Sequence, residues 1–217
     1  YDSDVRILYA PHFGIPQTRW RTIILGCRDG MNPTELFPEP LRQAPVRINF
    51  TPQFGGKNLV NLPLSLELPS HVTVRDAIGD LPMLRNGEMG EPVKSYRHPA
   101  DNQYQQLMRI GSDGVTCHEA ARLSKINLER MAHIPQGGNW TDIPDDLLPR
   151  GMRMARRSDH TKRYGRVHPD GLASTILTKC DPHWGAYFHY EQDRAFTVRE
   201  AARLQSFPDT YIFCGSR

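Results

Sequence analysis

The sequence predicts a mixed α+β fold, because strand-like and helix-like segments follow one another without a regular β-α-β alternation. Apolar runs at positions 5–10 and 21–26 are typical of β-strands. Segments that start at Thr73 and Thr197 have the capping-box spacing of helix N-termini. Proline accounts for 18 of the 217 residues, more than the average of about 5%, which predicts many loops.

Length and composition exclude several classes of protein. With 217 residues, 38% hydrophobic and 24% charged, the chain can bury the core of one large or two small domains and is neither a disordered tail nor a coiled coil. An apolar run of about 18 residues, as a membrane-spanning helix requires, is absent from the sequence. The formal net charge of +3 does not by itself identify a partner.

Four cysteines stand at positions 27, 117, 180 and 214 without paired spacing. This pattern favours a reducing compartment over a disulfide framework. The sequence begins at Tyr1 with neither an initiator methionine nor a signal-peptide pattern. We therefore expect it to be a piece of a longer protein.

The first half of the chain predicts a hairpin, an irregular region and a short helix. The runs 5–10 and 21–26 can pair as antiparallel strands across a long loop. Residues 31–70, rich in proline, glycine and asparagine, predict irregular structure with short strands. Thr73 and Asp76 form a capping box for a helix that ends near Gly79, and residues 85–102 are loop-like.

The second half predicts one longer helix, a strand pair and a final helix. The longer helix spans 117–133, with a capping box at Thr116 and Glu119. Residues 140–172 read as polar loops, and 173–190 as strand, turn and strand. A last helix at 198–206 is capped by Thr197 and Glu200. Its predicted buried face contains Val198, Ala201, Ala202 and Gln205.

The first candidate site is the segment around Gln17, Arg19 and Arg21. Alternation in an extended chain places these three side chains on one side. One amide and two guanidiniums suit a phosphate, a carboxylate or a carbonyl oxygen. The alternative interpretation is a solvated strand edge whose charges prevent aggregation.

The second candidate site is a basic run between Arg150 and Arg166, which holds seven Lys or Arg residues and one acid, Asp159. Such cations can neutralise nucleic-acid phosphates. Aromatic and histidine side chains could add stacking; these are Trp140, Tyr164 and His168. The alternative is an ordinary charged surface loop.

Other chemistry is poorly supported. Cys180, His183 and His189 do not have the spacing of a closed zinc site, so we predict no metal. The cysteines show no context of an activated thiolate. Neither G-x-G-x-x-G nor G-x-x-x-x-G-K occurs, which argues against a nucleotide phosphate loop.

Two motifs together resemble the C5 DNA cytosine methyltransferases. Residues 14–21, Gly-Ile-Pro-Gln-Thr-Arg-Trp-Arg, are similar to that family's Gln-x-Arg-x-Arg motif. Residues 199–209, Arg-Glu-Ala-Ala-Arg-Leu-Gln-Ser-Phe-Pro-Asp, are similar to its late Arg-Glu-x-x-Arg-Leu-Gln-x-Phe-Pro motif. Segments 73–82, 131–135, 164–166 and 175–178 also fit, whereas 31–70 is not covered.

The resemblance implies methyl transfer from S-adenosylmethionine to C5 of a cytosine flipped out of double-stranded DNA, a manoeuvre typical of such methyltransferases. It implies that Arg21 contacts cytosine O2, that Arg19 supports it and that Gln17 holds the loop. Thr175 falls where the family contacts DNA. The basic run would then face DNA through five side chains, Arg156, Arg157, Lys162, Arg163 and Arg166.

Departures from the family pattern limit what the chain can do alone. No cysteine follows a proline, so the Pro-Cys nucleophile is absent, and so are the Glu-Asn-Val motif and the glycine-rich cofactor loop. The resemblance thus implies part of an α/β, Rossmann-like catalytic domain plus a target recognition domain. The expected boundaries are 1–84 catalytic with an irregular insertion, 85–195 target recognition and 196–217 catalytic again.

We expect a C-terminal fragment or one chain of a split enzyme, inactive without a missing N-terminal segment or partner chain, and with most of the cofactor site elsewhere. Compactness favours a bacterial protein of the cytoplasm, held at the nucleoid through DNA. A restriction-linked role and an orphan role both fit the sequence. The rival is a DNA-binding subunit without catalysis. A tRNA-directed member of the family is disfavoured by the long stretch 85–195.

Overall fold

A computed structural model describes residues 1–63, 67–89, 91–178 and 180–215. The chain forms two compact units, 1–72 and 73–217. Strands dominate the first unit and short helices the second, so the fold is mixed α/β. Within the described residues, no helix is both long and apolar enough to cross a membrane.

The first unit is built on the predicted antiparallel hairpin. Strand β1 (Asp2–Tyr9) pairs with β2 (Trp20–Cys27) along its whole length, from Asp2 opposite Cys27 to Tyr9 opposite Trp20. The connection begins with a 3₁₀ helix, Ala10–Phe13, which ends at Gly14 with φ of +81°, a conformation that favours glycine. The hairpin prediction is confirmed.

The remainder of the first unit is largely irregular, as predicted. It contains a 3₁₀ helix, Pro33–Leu36, and a small hairpin of β3 (Gln53–Phe54) and β4 (Lys57–Asn58). Asp4 on β1 ties these parts together, because its carboxylate accepts hydrogen bonds from Lys57 Nζ at 2.8 Å and Thr34 Oγ1 at 3.0 Å. Residues 64–66 of the stretch predicted as irregular lie outside the described residues.

The described residues of the second unit form five short α-helices joined by long connections. They are α1 (Val74–Ile78), α2 (Gln103–Met108), α3 (Lys125–Ala132), α4 (Arg150–Arg153) and α5 (Val198–Arg203). A 3₁₀ helix, Trp140–Asp142, lies between α3 and α4. The capping boxes predicted at Thr73 with Asp76 and at Thr197 with Glu200 are both present.

A core cluster within this unit gathers side chains from α3 to the segment near position 190. Its members are Met131, Ile134, Trp140, Ile143, Leu148, Met152, Tyr164 and Phe188. Trp140 and Tyr164 are 1% and 3% exposed. Burying large aromatic side chains is a dominant source of stability, so this cluster fixes the loops that carry the basic run.

The longer predicted helix is wrong over its first half. The α3 helix begins at Lys125, whereas 117–133 was expected. Cys117 has φ of +55°, which a helix cannot accommodate, and the Thr116 carbonyl accepts from the Arg199 side chain at 3.0 Å. A long-range contact therefore overrides the local capping signal.

The strand pair predicted for 173–190 is also wrong for the described residues of that stretch. Instead of a ladder, the Tyr187 hydroxyl donates to the Thr175 carbonyl at 3.1 Å and accepts the Leu177 N–H at 2.9 Å. Phe188 makes isolated bridges with Arg166 and Ala195. Two smaller differences concern helices: α4 lies in a region expected to be loop, and α5 ends at Arg203 rather than 206.

Candidate functional site

Gln17, Arg19 and Arg21 occupy the start of β2 and the loop before it, and their exposure increases along the chain. Gln17 is 1% exposed, and its backbone N–H donates to the Ile15 carbonyl at 2.8 Å. Arg19 is half-buried, with its carbonyl accepting from the Ala10 N–H at 2.9 Å. Arg21 is exposed. The buried amide thus belongs to the loop and the exposed guanidinium to the surface.

The hairpin fixes the backbone of Arg21, while its guanidinium keeps N–H donors that other groups can use. It lies opposite Leu8 in the hairpin register, and its Nη1 donates to the Trp20 carbonyl at 2.7 Å. The neighbouring Trp20 ring stacks on Tyr9 with centroids 4.4 Å apart. No carboxylate of the described residues forms an ion pair with Arg21. Its remaining donors can therefore meet an external acceptor.

Part of the basic run is engaged inside the protein. Arg157 donates to the Thr141 carbonyl and to Asp145 Oδ1, both at 2.6 Å. Arg166 is 12% exposed at its side chain and donates to the Met131 carbonyl at 3.2 Å and to Asp193 at 3.1 Å. These contacts tie the run to the core cluster.

Other cations of the run have no carboxylate partner in the described part of the chain. Apart from Arg153, which donates to the backbone carbonyls of Leu148 and Asp146, this group consists of Arg150, Arg156, Lys162 and Arg163. Arg163 is half-buried and the other three are exposed. Uncompensated cations close together in sequence produce a positive local potential, which attracts phosphates.

Arg163 and Lys162 line an open concavity of about 380 Å³ together with His160, Thr161 and Trp184. The Arg163 guanidinium carbon lies 5.0 Å from the centroid of the Trp184 ring, and Trp184 is 48% exposed. We call this feature the Arg163–Trp184 concavity. It places an aromatic surface beside the cations.

Trp184 was missed by sequence reasoning, which expected stacking from Trp140, Tyr164 and His168. Two of these expectations are wrong, because Trp140 and Tyr164 are buried in the core cluster. His168 is exposed. The signal that could have found Trp184 is its position directly after the predicted turn at 181–183, where large side chains tend to reach the surface.

Close packing fixes the two loops that form the concavity. The Tyr164 N–H donates to the Pro182 carbonyl at 2.7 Å, and the Tyr164 hydroxyl lies 2.8 Å from His183 Nδ1. A Cβ atom on Gly165 would lie 2.5 Å from the Cβ of Ala186. Only glycine permits this approach, so the 160–166 loop and the 181–186 turn hold a defined relative position.

Thr175 is half-buried. Its carbonyl accepts the Tyr187 hydroxyl at 3.1 Å, and its neighbour Ala173 is fully buried. The Tyr187 side chain therefore holds this segment in place, and the half-buried Thr175 lies at the edge of the surface.

The late motif forms a buried ionic scaffold, which sequence reasoning did not predict. Arg199, Glu200 and Arg203 on α5 are each 0% exposed, whereas Val198, expected in the buried face, is 38% exposed. Glu200 accepts from both Nη atoms of Arg194, at 2.8 and 2.6 Å. These charged side chains can be buried because each has an oppositely charged partner and hydrogen bonds.

Arg199 and Arg203 connect α5 to distant segments. Arg199 donates to the Thr116 hydroxyl and to the carbonyls of Pro208 and Tyr211, at 2.9, 3.0 and 2.6 Å. Arg203 donates to both carboxylate oxygens of Asp209, at 2.7 and 2.6 Å. These arginines hold the second unit together and are not free to contact a ligand.

The environments of the four cysteines differ. Burial raises the pKa of the Cys180 thiol to about 12, and Cys27 is buried. The Cys117 thiol lies 3.6 Å from the Phe213 carbonyl, and Cys214 is exposed. Among the described residues, no group of three or more His, Cys, Asp or Glu side chains could hold a metal ion.

Comparison with known proteins identifies the family. A family model described as C-5 cytosine-specific DNA methylase matches residues 1–217. A rice protein, DNA (cytosine-5)-methyltransferase 1A, is 34% identical over 235 residues, which cover 100% of this chain and 15% of the relative. Type II methylase M.HgiDII of Herpetosiphon aurantiacus is 30% identical over 214 residues, covering 98% of this chain and 47% of the relative.

A solved structure shares the fold. An E. coli prophage protein, described as a DNA modification methyltransferase, superimposes with a TM-score of 0.54 at 21% identity, covering 96% of this chain and 51% of that one. The chain thus spans between 15% and 51% of the length of these relatives. Since the family model matches every residue, the chain belongs to the C-5 cytosine-specific DNA methylase family.

Proposed function

We propose that this chain is the C-terminal, DNA-recognising part of a DNA (cytosine-5)-methyltransferase, which transfers a methyl group from S-adenosylmethionine to C5 of a flipped cytosine. The observation that supports this proposal most directly is the exposure of Arg21 at a position that the β1–β2 register fixes. This arginine also lies inside a family motif. Curated relatives of that name match the whole chain. Type II names among the relatives are in keeping with a restriction-linked role.

In the proposed reaction, Arg21 donates to cytosine O2. Attack on C6 raises the negative charge on O2, so a fixed donor there stabilises the transition state more than the ground state. Arg19, two residues before Arg21, would support it, and the buried Gln17 would hold the loop. The hairpin supplies the rigidity that such a donor needs.

The methyl donor would supply the transferred carbon, but these residues do not form its site. The named strands of the described residues pair as two antiparallel hairpins. Nucleotide cofactors of doubly wound folds bind at the carboxyl ends of paired parallel strands, above a glycine-rich turn, and the described residues form parallel pairings only as isolated bridges. We therefore place the cofactor on residues outside this chain, in a missing catalytic segment or partner chain.

The DNA-facing surface is proposed to be the basic run. Arg156, Lys162 and Arg163 would neutralise phosphates of double-stranded DNA, because no internal carboxylate competes for them in the described chain. Arg157 and Arg166 would support this surface from its edge through their internal hydrogen bonds. Thr175 would add a backbone or phosphate contact nearby.

We further propose the division into a catalytic part at 1–84, a target recognition domain at 85–195 and a return to the catalytic domain at 196–217. In a bacterial cell such a protein would be cytoplasmic and associated with the nucleoid. The 217 residues alone would bind DNA without methylating it, because no Pro-Cys pair is present.

The second candidate function is a DNA-binding subunit that has no catalytic partner. It is favoured by one observation: burial raises the pKa of the Cys180 thiol to about 12, which disfavours this cysteine as a nucleophilic thiolate. This alternative predicts DNA binding in every preparation and methyl transfer in none.

The deciding experiment measures transfer of radiolabelled methyl groups from S-adenosylmethionine to duplex DNA by the full-length protein that contains this chain. We expect incorporation at cytosine C5, confirmed by nucleoside mass spectrometry, and at least a hundredfold less with Arg21→Ala. A matched control is Arg28→Ala, one residue after β2, which should retain activity. Binding without incorporation would favour the second candidate function.

A further inference from the structure

Arg163 differs from most of the other arginines that stack on aromatic rings; Arg28, over Tyr1 at 5.6 Å, also has no carboxylate partner in the described chain but does not line the concavity. Arg157 lies over Trp140 at 5.6 Å but also bonds Asp145. Arg75 lies over Tyr190 at 5.8 Å but pairs with Asp170 at 3.2 Å. The guanidinium of Arg163 lies over Trp184 at 5.0 Å and, within the described chain, donates to no side-chain or backbone acceptor.

Because Arg163 stacks on Trp184 without an internal acceptor, its N–H donors are held in place and remain available to a ligand. A guanidinium carries five N–H groups in a rigid planar fork. Contact with the indole restricts its rotamers, so less conformational entropy is lost when it binds. The fork geometry matches two oxygens of one phosphate.

The surroundings favour a phosphate as the acceptor. Lys162 and His160 line the same concavity, and its lining residues include no carboxylate. Lysine acts on phosphate as a point charge. The two cations at this opening, Arg163 and Lys162, match the repeating negative charge of a nucleic-acid backbone better than the edge of a single base.

The concavity is also rigid enough to select a position on the backbone. Tyr164 and Gly165 lock its first loop against residues 182–186, through the 2.7 Å hydrogen bond to the Pro182 carbonyl and the close approach to Ala186. The 48% exposed indole of Trp184 can then pack against the deoxyribose next to a bound phosphate.

We propose that Arg163 and Trp184 form a clamp for the DNA backbone, in which Arg163 binds two oxygens of one phosphate, Trp184 packs on the adjacent deoxyribose and Lys162 meets a neighbouring phosphate. The clamp positions DNA without reading its sequence. This inference rests on the proposed function, since it assumes a DNA ligand.

The test is equilibrium binding of the full-length protein to a target and a non-target duplex over a series of salt concentrations. Arg163→Ala should weaken binding about tenfold on both duplexes and reduce the slope of log K against log salt by about 1. The control, Arg75→Ala, removes an arginine–aromatic stack of similar geometry whose charge is already paired, and should leave affinity and slope unchanged.

Substitutions of Trp184 test the clamp independently of Arg163. Trp184→Ala should weaken binding several-fold on both duplexes without changing the salt slope, whereas Trp184→Phe should preserve most of the affinity, since the ring remains. DNA should also quench part of the tryptophan fluorescence of the wild type but not of Trp184→Phe. Unfolding midpoints of the variants establish that the fold is intact.

Three results would overturn the clamp. Unchanged affinity and slope in Arg163→Ala would show that the residue does not contact DNA. A loss of affinity confined to the target duplex would assign Arg163 to base readout instead. Failure of the wild type to bind any duplex would refute the proposed function itself, and is recognised because it appears before any substitution.

Discussion

Asp80 and Arg203, separated by 123 positions in sequence, form a fully buried ion pair in which Arg203 Nη1 lies 3.3 Å from Asp80 Oδ1. Asp80 follows α1 and Arg203 ends α5. Arg109, just after α2, donates to the same carboxylate. One carboxylate therefore joins three helices of the second unit.

Replacing Asp80 with Asn is expected to destabilise the second unit by about 3–5 kcal/mol, because breaking a buried pair leaves an uncompensated charge. Urea unfolding monitored by circular dichroism measures the loss. The control, Asp170→Asn, breaks the exposed pair with Arg75 and should cost at most about 1 kcal/mol. Equal effects of the two substitutions would contradict the buried-scaffold interpretation.

Stability is expected to fall as the pH is lowered from 7 to 5, chiefly because of His189. Burial lowers the pKa of His189 to about 4, from an ordinary value of 6.5. The unfolded state therefore binds more protons over this range, and stability present above pH 6.5 is lost as the pH falls towards 4. Linkage gives a loss of about 2 kcal/mol between pH 7 and 5.

Urea midpoints at several pH values check this expectation. His189→Gln should flatten the pH dependence, whereas His160→Gln, at an exposed position, should leave it unchanged. Below about pH 4.5, Glu200 should add a further loss, because its Arg194 partner lowers the carboxyl pKa and protonation removes the pair. A midpoint constant from pH 7 to 5 would contradict the role assigned to His189.

Local signals predicted local structure well and long-range structure poorly. The hairpin and the caps at Thr73 and Thr197 depend on neighbouring residues, and all are present. The helix expected from 117 fails because Thr116 is a partner of Arg199, 83 positions away. The spacing of capping residues carries no information about such a long-range contact.

The same distinction applies to the candidate site. Motif and charge density selected the Gln17–Arg21 segment and the basic run as candidates, because each is contiguous in sequence. The pairing of Arg163 with Trp184, and the separation of engaged from unpaired cations, depend on contacts between distant loops. Burial of Arg199 and Arg203 could not be predicted for the same reason, since Arg199 contacts Thr116 and Arg203 contacts Asp80.

Cysteine reactivity should follow burial. Cys214 is exposed and should react first with a thiol reagent at pH 8, while Cys180, with its pKa raised to about 12, should react last, because the thiolate is the reactive species. Timed alkylation with peptide mass spectrometry gives the order, and Cys214→Ser serves as the control. Fast labelling of Cys180 in the folded protein would contradict its described environment.

Arg21→Ala should lower kcat of the complete enzyme more than it weakens DNA binding. We expect a loss of about 10²-fold in kcat with less than a threefold change in affinity, because the proposed contact strengthens only as charge develops on cytosine O2. Single-turnover methylation and equilibrium binding measure the two effects separately. Equal losses in both would show that Arg21 contributes to binding alone.

Removing the charges of Arg156, Arg157 and Arg163 together should weaken DNA binding and flatten its salt dependence. Three independent phosphate contacts would reduce the slope of log K against log salt by about 2.7. We expect about 1.8 instead, because Arg157 is already paired with Asp145 at 2.6 Å. Binding isotherms of the triple Gln variant, and of Arg157→Gln alone, at five salt concentrations separate these values. An unchanged slope in the triple variant would remove the basic run from the DNA interface, whereas a drop caused by Arg157→Gln alone would mean that DNA displaces Asp145 from its arginine.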